Sequence, residues 1–217
     1  MACADDASSS GRAYHHGDLR AALLERAEQV VREQGPAAVS LRSLARDLGV
    51  SHAAPAHHVG SVRGLLTALA VEGHQLLAAA LLPAAGAGSF AEVGVAYVGF
   101  ALEHPAHFAV MFRPDLLDLD DPALRAARAQ TLSFLRGAGS LNAPDPEAAA
   151  LAAWSAVHGL ASLHLSGALA PDDVPALGSV ATAATPDDVL ALARRVTAAL
   201  FASRLPEPLP PPGASRA

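Results

Sequence analysis

The sequence predicts an all-α protein in two parts: a three-helix head built on a helix-turn-helix, joined to a larger helical body. Three observations lead there. Of the 217 residues, 52% are hydrophobic but 4% are aromatic, and a chain so rich in Ala and Leu favours helix. Apolar residues recur every three or four positions in segment after segment, the spacing that lines one face of a helix. Two short segments of this kind, within residues 40–59, are joined through Gly49. The length admits one medium domain or a small one fused to a larger, and either can bury a sizeable core.

Taken in order, residues 1–13 are small and polar and are expected to form a disordered leader. Arg12, Tyr14, His15 and His16 can act as an arm reaching a phosphate or the minor groove, or can stay solvated and idle. The first helix is predicted from about Asp18, which suits the positive end of the helix dipole, to Gln34. Leu19, Leu23, Ala27 and Val30 form its inward stripe; Arg20, Glu25, Arg32 and Glu33 face water. Gly35-Pro36 ends it.

Residues 40–59 read SLRSLARDLGVSHAAPAHHV. Ser40 can cap a helix, Leu44, Ala45 and Leu48 give it an apolar face, and Gly49 stops it. Ser51 is a second cap candidate for a short helix over His52–His58, with Pro55 in its first turn, where a missing N–H costs least. Small Ala45 sits where the two helices would cross closely. Such a unit places its second helix in the major groove of DNA. A fourth helix is predicted from Val62 to about Leu82, stopped by Pro83, with Leu65, Leu66, Leu69, Leu76 and Leu77 serving both head and body. Gly73 within it reads either as a hinge or as a point of close helix packing. Ala84–Ser89 is a small-residue linker. Further helices are expected over Phe90–Glu103, from Pro105, over Pro122–Gly137, Glu147–Ala168 and Pro186–Arg204. Residues 169–185 read as a loop, and residues 205–217 as a disordered Pro-rich tail.

The net charge of −6 argues against a general nucleic-acid coat, but it is unevenly spread. Residues 11–66 hold seven arginines (Arg12, Arg20, Arg26, Arg32, Arg42, Arg46, Arg63) against five acids (Asp18, Glu25, Glu28, Glu33, Asp47). That asymmetry suits a DNA-reading head on a body that does not bind DNA. Cys3 is the only cysteine, so neither an internal disulfide nor a Cys-based zinc site is expected. No basic region followed by an apolar run opens the sequence, so no signal peptide is expected. Residues 148–171 lack Asp, Glu, Lys and Arg, but they are rich in Ala, Ser and Gly and hold His158 and His164. Insertion would gain little, so a buried helix and no membrane partner are expected. There is no HExxH, GxSxG or P-loop run, and no His pair sits beside an acid at clear ligand spacing. The expectation is no enzyme, no catalytic residues, no metal and no cofactor.

The run from Gly17 to Leu66 resembles the DNA-binding domain of the tetracycline-repressor (TetR) family of bacterial regulators. The family pattern ends in an aromatic-basic-His-aromatic run, a Lys and a helix-opening Leu. Here those positions are Ala56, His57, His58, Val59, Val62 and Leu65. The family's usual Tyr, Phe and Lys are replaced by Ala56, Val59 and Val62, so two phosphate-contacting side chains are missing. In the body, His104-Pro105-Ala106 with Met111-Phe112, and Trp154 to Gly159 (WSAVHG), resemble the WHG-type C-terminal domain of one TetR subgroup. The resemblance implies a leader over 1–13, a DNA-binding domain over 14–66, an effector-binding and dimerisation domain over 67–204, and a tail. It also implies a fourth helix whose pendulum-like shift separates the DNA heads when ligand binds.

Reading base edges usually takes Arg, Lys, Asn or Gln, and the recognition helix has none. The candidate DNA contacts are Ser40, Arg42, Ser51, His52, Ala53, Ala54, Ala56, His57, His58 and Arg63, with the alanines meeting thymine methyl groups and Arg46 nearby. Histidine gains charge on mild acidification, so binding is expected to strengthen from about pH 8 to about pH 6. The candidate effector site is Phe100, Phe108, Met111, Phe112, Trp154 and His158: apolar walls with one polar group, although each is also a plausible core residue. It holds no charged residue, so a small apolar or weakly polar effector is expected. The helix over Glu147–Ala168 has two apolar faces. Leu151, Trp154, Val157, His158, Ala161 and Leu165 are expected inside. Ala149, Ala153, Ala156, Leu160 and Leu163 are expected to meet a twin subunit, with Val189, Leu192, Val196 and Leu200 completing the interface. The implied function is a ligand-responsive homodimeric repressor, acting on a palindromic double-stranded operator in the bacterial cytoplasm at the nucleoid. The alternative is a degenerate member that dimerises and binds ligand but grips DNA weakly or not at all.

Overall fold

The computed structural model describes residues 16–134, 144–169 and 185–202. The predicted leader and tail, the arm residues Arg12, Tyr14 and His15, and the last residues of the helix expected to reach Gly137 lie outside that set. Among the described residues the chain is helical and contains no strand.

The head opens with α1, His16–Gln34. Its inward stripe is buried as expected: Leu19, Leu23, Ala27 and Val30 are all covered. After a 3-10 turn at Pro36–Ala38 comes α2, Leu41–Asp47. Gly49 takes φ 66° and lets the chain reverse. The N–H of Val50 reaches back to the Ala45 carbonyl at 2.9 Å and that of Gly49 to the Arg46 carbonyl at 3.2 Å, a pair of bonds that closes a helix C-terminus. Ala45 is completely covered, as a close crossing requires. The recognition helix α3 spans Ala54–Val59, two residues later than expected. Ser51 does not cap it: residue 53 occupies that position, and Ser51 contributes only its carbonyl, to the N–H of Ala54 at 3.1 Å. Ser40 stands at the cap of α2 without a side-chain bond. Caps made through side chains lie elsewhere, at Ser61, Ser89, Asp121 and Asp145.

The long helix α4, Val62–Gly86, contains Pro83 and is not stopped by it. Proline removes one backbone bond near the end of a helix whose other residues remain good helix formers. The true stop is Gly88, at φ 73°, where the Ser89 N–H bonds the Ala84 carbonyl at 3.3 Å and the Gly88 N–H bonds that of Ala85 at 3.0 Å. The body continues with α5 (Phe90–Glu103), α6 (Pro105–Met111), α7 (Pro122–Ser133), α8 (Pro146–Leu165) and α9 (Pro186–Ala202). α4 packs on α5, α6 and α7, while α5 packs on α8 and α9. α4 and α8 are each long and apolar enough to cross a membrane by length and composition alone. Here both pack against other helices of their own chain.

α8 is turned relative to the expected faces. Its covered residues are Ala150, Ala153, Val157, Leu160 and Ala161, whereas Leu151, Leu163 and Leu165 are exposed. Leu151 and Leu165 are therefore not interior residues. The reason is that both sides of this helix are apolar, so periodicity cannot choose between them.

Two contacts bind the start of α4 to the loop before α7. The Arg63 guanidinium donates to the Leu117 carbonyl at 2.6 Å and to that of Asp115 at 3.3 Å. The buried Thr67 hydroxyl donates to the Arg63 carbonyl at 2.8 Å and accepts the Asp118 N–H at 2.9 Å. Further along, α4 meets α6 at Gly73. A Cβ there would lie 2.6 Å from Met111 Sδ and 3.0 Å from His107 Cβ, so a hydrogen atom is needed at this crossing. Ala is favoured over Gly in a free helix by about 1 kcal/mol, but overpacking costs more. Gly73→Ala should therefore lose on the order of 1 kcal/mol net, read as a lower urea midpoint. An unchanged or higher midpoint would show that α4 and α6 can separate freely here.

Candidate functional site

Two surfaces carry the chemistry, one on the head and one in the body. On the head, Ser40, Arg42, Ser51, His52, Ala53, Ala56 and His57 are exposed or nearly so, and Ala54 is half-buried. They lie on or beside α2 and α3 and form a surface of small and imidazole side chains. His58 is half-buried and lines a cleft between the head and the body, together with Arg20, Val59 and Glu72. It is turned away from the exposed face. Arg63 is exposed, and its guanidinium donates to the carbonyls of Leu117 and Asp115, so part of its donor set is turned to the body. Arg46 is partly engaged by Ser43 at 2.9 Å and Asp47 at 3.6 Å. Arg42 has no hydrogen-bond or ion-pair partner among the described residues, and within α2 and α3 it is the arginine left open to a phosphate.

In the body, a cavity of about 310 Å³ opens between α4, α5, α7, α8 and α9. Phe90, Tyr97, Phe112, Phe134 and Trp154 supply aromatic wall; His74, Arg128, Thr131 and Thr197 supply polar atoms. Gly94 lies on the wall where a Cβ would come within 2.9 Å of Thr197 Cγ2, so this part of α5 must stay bare.

The expected effector residues divide into three groups. Phe112 and Trp154 line the cavity. Phe108 and His158 stand behind them. The His158 ring lies 4.7 Å from Phe112, 5.1 Å from Phe108 and 6.2 Å from Trp154, centroid to centroid. Phe100 and Met111 do not reach the cavity: Phe100 stacks on His104 at 5.3 Å, and Met111 fills the crossing at Gly73.

Tyr97 organises this aromatic group. Its hydroxyl is 2.8 Å from His158 Nδ1. Burial raises the Tyr97 phenol above its ordinary range and lowers His158. Both groups are thus neutral, with the phenol O–H donating to the imidazole. His74, on α4, was not anticipated, nor was Arg128. The His74 ring is buried, with Nδ1 3.2 Å from the Thr131 hydroxyl and Nε2 without a partner. Burial, and then the positive charge of Arg128, push its pKa down to about 4. The expectation of a site without charge is corrected by Arg128.

A separate buried histidine, His107, has neither ring nitrogen hydrogen-bonded. Glu72 lies 3.9 Å from Nε2 and the His104 ring 5.7 Å away. Burial lowers this histidine while Glu28 and Glu72 oppose the shift. No group of three or more His, Cys, Asp and Glu able to hold a metal occurs among the described residues.

The residues expected to meet a twin subunit also divide. Val189 and Leu192 are covered within their own chain, as are Ala153, which lines the cavity, and Leu160. This corrects their placement on an outer face: α9 lays its most apolar stripe on α5. Ala149, Ala156 and Val196 are half-buried or more open, and Leu163 and Leu200 are exposed.

A head of three helices carrying a helix-turn-helix, connected by one long helix to a helical body with an internal cavity, defines the class of helical regulators. Comparison agrees. Residues 90–183 match the family model described as tetracyclin repressor-like, C-terminal domain. A solved structure of a protein of unknown function from Rhodococcus sp. RHA1 is 32% identical, with a TM-score of 0.67 and coverage of 88% of this chain and 100% of that one. A bacterial regulatory protein of the TetR family from Rhodococcus RHA1 is 22% identical, with a TM-score of 0.61, covering 84% and 96%. The TetR-family transcriptional regulator PfmR from Thermus thermophilus is 21% identical, with a TM-score of 0.59, covering 82% and 93%. No curated protein matches the sequence at a significant level. The chain belongs to the TetR family of regulators.

The buried neutral His74 sets a pH dependence of stability. Its pKa falls from an ordinary 6.5 to about 4 in the folded chain. Below pH 6.5 the unfolded chain takes up this proton and the folded chain does not, so stability is lost as pH falls from 6.5 towards 4. The total is on the order of 3 kcal/mol. His74→Asn retains an amide for Thr131 but cannot titrate. Its melting temperature should fall less steeply over that window than the parent's; parallel curves would refute the assignment.

Proposed function

We propose that this chain is a ligand-responsive transcriptional repressor that binds a palindromic DNA operator as a homodimer in the bacterial cytoplasm, releasing it when a small molecule enters the body cavity. The observation that carries the reading is one helix with two loads. α4 begins under the helix-turn-helix, where Leu65 and Leu66 are buried, and further along it supplies His74 and Leu81 to the cavity wall. Occupancy of the cavity and placement of the head are thereby functions of the same rigid element. The DNA face is the exposed surface of α2 and α3 with Ser40, Arg42, Ser51, His52, Ala53, Ala56 and His57, flanked by Ala54. The twin subunit docks on the outer face of α8 and the free side of α9. Leu151, Leu163 and Leu200 are 57%, 48% and 40% exposed, and a Cβ at Gly159 would meet nothing within 4 Å. Apolar groups left uncovered beside small residues suit a close helix contact.

A second reading is favoured by Arg63. Its guanidinium donates to two carbonyls of the body, while Ala56 and Val62 replace the family's Tyr and Lys. A member with these two replacements and an Arg63 turned to the body holds DNA weakly and uses the fold for dimerisation and ligand binding.

Binding-site selection from random duplexes at low salt separates the two: a palindrome establishes the operator-binding dimer, and no enrichment establishes the degenerate form. On the selected site, Arg42→Ala should lower affinity and flatten the dependence of log K on log salt by about 0.9 per lost phosphate contact in each subunit. Arg63→Ala should leave that slope unchanged. A reversed pattern would mean that Arg63, not Arg42, meets the phosphate. Sedimentation at micromolar concentration should give a dimer, and a monomer would remove the palindrome from consideration.

A further inference from the structure

The cavity in the body joins an unusual pair of polar groups to an apolar wall. Arg128 lines it from α7, and no carboxylate is among the lining residues. Its neighbour three positions earlier on the same helix, Arg125, is paired with Asp120 at 3.5 Å, but Arg128 has no ion-pair partner among the described residues. Arg128 is itself exposed, so the charge stands at the mouth of the cavity. His74, from α4, lines the same cavity and is only 4% exposed, with Nε2 unbonded. A polar atom buried so fully is normally satisfied.

The state of that nitrogen follows from its neighbours. Thr131 has one hydroxyl hydrogen, and the Ala127 carbonyl lies 3.1 Å and the His74 carbonyl 3.3 Å from its oxygen. When the hydroxyl donates to a carbonyl, its oxygen accepts from Nδ1–H of His74, 3.2 Å away. Nε2 then carries a lone pair. The nearby guanidinium favours that tautomer, since a lone pair is better placed than an N–H beside a positive charge. The cavity therefore offers a cation at its mouth, a hydrogen-bond acceptor in its wall and aromatic surface around both.

We propose that the effector is an amphipathic acid: an apolar body within the aromatic wall, a carboxylate paired with Arg128, and a hydroxyl or amide N–H close to the acid that donates to His74 Nε2. An arginine fork suits a carboxylate in two-point contact. A neutral ligand would leave the charge without its partner, and a cation would be repelled. The class of ligand rests on the reading of this cavity as the effector site, but its recognition can be measured without DNA.

Trp154 is the only tryptophan in the chain and lines the cavity, so its fluorescence reports occupancy. The full-length protein is titrated at pH 7.5 with matched pairs: octanoate against octanol, and 4-butylbenzoate against 4-butylbenzyl alcohol. Calorimetry gives the constants. Each acid should bind at least ten-fold more tightly than its alcohol. Arg128→Gln should bring that ratio close to one with little change for the alcohols, and Arg128→Lys should restore part of it. 3-Hydroxyoctanoate should bind several-fold more tightly than octanoate, a gain absent in His74→Asn and in His74→Leu. Alcohols that equal or exceed their acids, binding by neither member of both pairs, or a ratio untouched by Arg128→Gln would overturn the carboxylate. A 3-hydroxyl that adds nothing in the parent would overturn the role of His74. The same acids are then added to protein bound at its selected operator. Acids that bind but leave the DNA complex intact would keep the ligand class and reject the effector role. Release of DNA by neutral apolar compounds alone would keep the effector role and reject the ligand class.

Discussion

Everything in this fold depends on α4 being apolar on more than one face. A helix with one apolar stripe can belong to one core. α4 buries Leu65, Leu66 and Leu69 near its start and Leu77, Ala78 and Leu81 further along, and its leucines join α1 of the head and α5, α6 and α7 of the body into a continuous cluster. Because interiors are close-packed and transmit strain, the head does not hang from the body by a linker. It shares a structural member with it.

The polar contacts along this helix reinforce the same seam. Arg63 and Thr67 are tied to the loop before α7, and His74 is tied to Thr131 on α7 itself. Placing Arg63 at the body rather than at DNA has a physical logic. Two backbone carbonyls at the end of a loop need donors, and a guanidinium can satisfy both at once. Bonds to neutral carbonyls orient the guanidinium toward the body and leave its charge in place. The junction is thus strengthened with a residue whose type and position pointed to the nucleic acid.

Much of the architecture is legible in the sequence because periodicity and stop signals are local. The stripe of α1, the bounds of α5 and the turn at Gly49 all come from short runs. Pro83 misleads because its effect depends on the residues after it: Ala84, Ala85 and Gly86 continue the helix, and Gly88 ends it. The faces of α8 mislead for a different reason, since a helix apolar on both sides has no periodic signal to orient it. The cavity is half legible. Trp154 and Phe112 stand out because aromatics are rare in this chain, but Tyr97, which is bonded to His158, carries no local pattern. Arg128 reads as one more charge on a solvated helix; only the folding of α7 over α4 and α5 brings it to a cavity. His74 does leave a trace, as a lone histidine in an otherwise apolar stretch of α4, but the glycine beside it is the more conspicuous signal.

The positions of His74 and Arg128 bear on how a ligand could move the head. His74 belongs to α4 and Arg128 to α7, so a molecule held by both spans the seam between these helices. Eleven residues earlier on α4, the Arg63 guanidinium is bonded to the loop that leads into α7. At a rise of 1.5 Å per residue the two bridges are roughly 16 Å apart along the helix. One bridge ties α4 to the loop that leads into α7 and the other ties it to α7 itself, so the two are mechanically dependent. Drawing α4 and α7 together, or prising them apart, at the cavity changes the angle at which they meet at the head. The effect needs no flexible hinge in α4, and Gly73, filled over by Met111 and His107, offers none. The helix can act as a lever because it is stiff, and the polar residues at its start and at its middle decide what can push it.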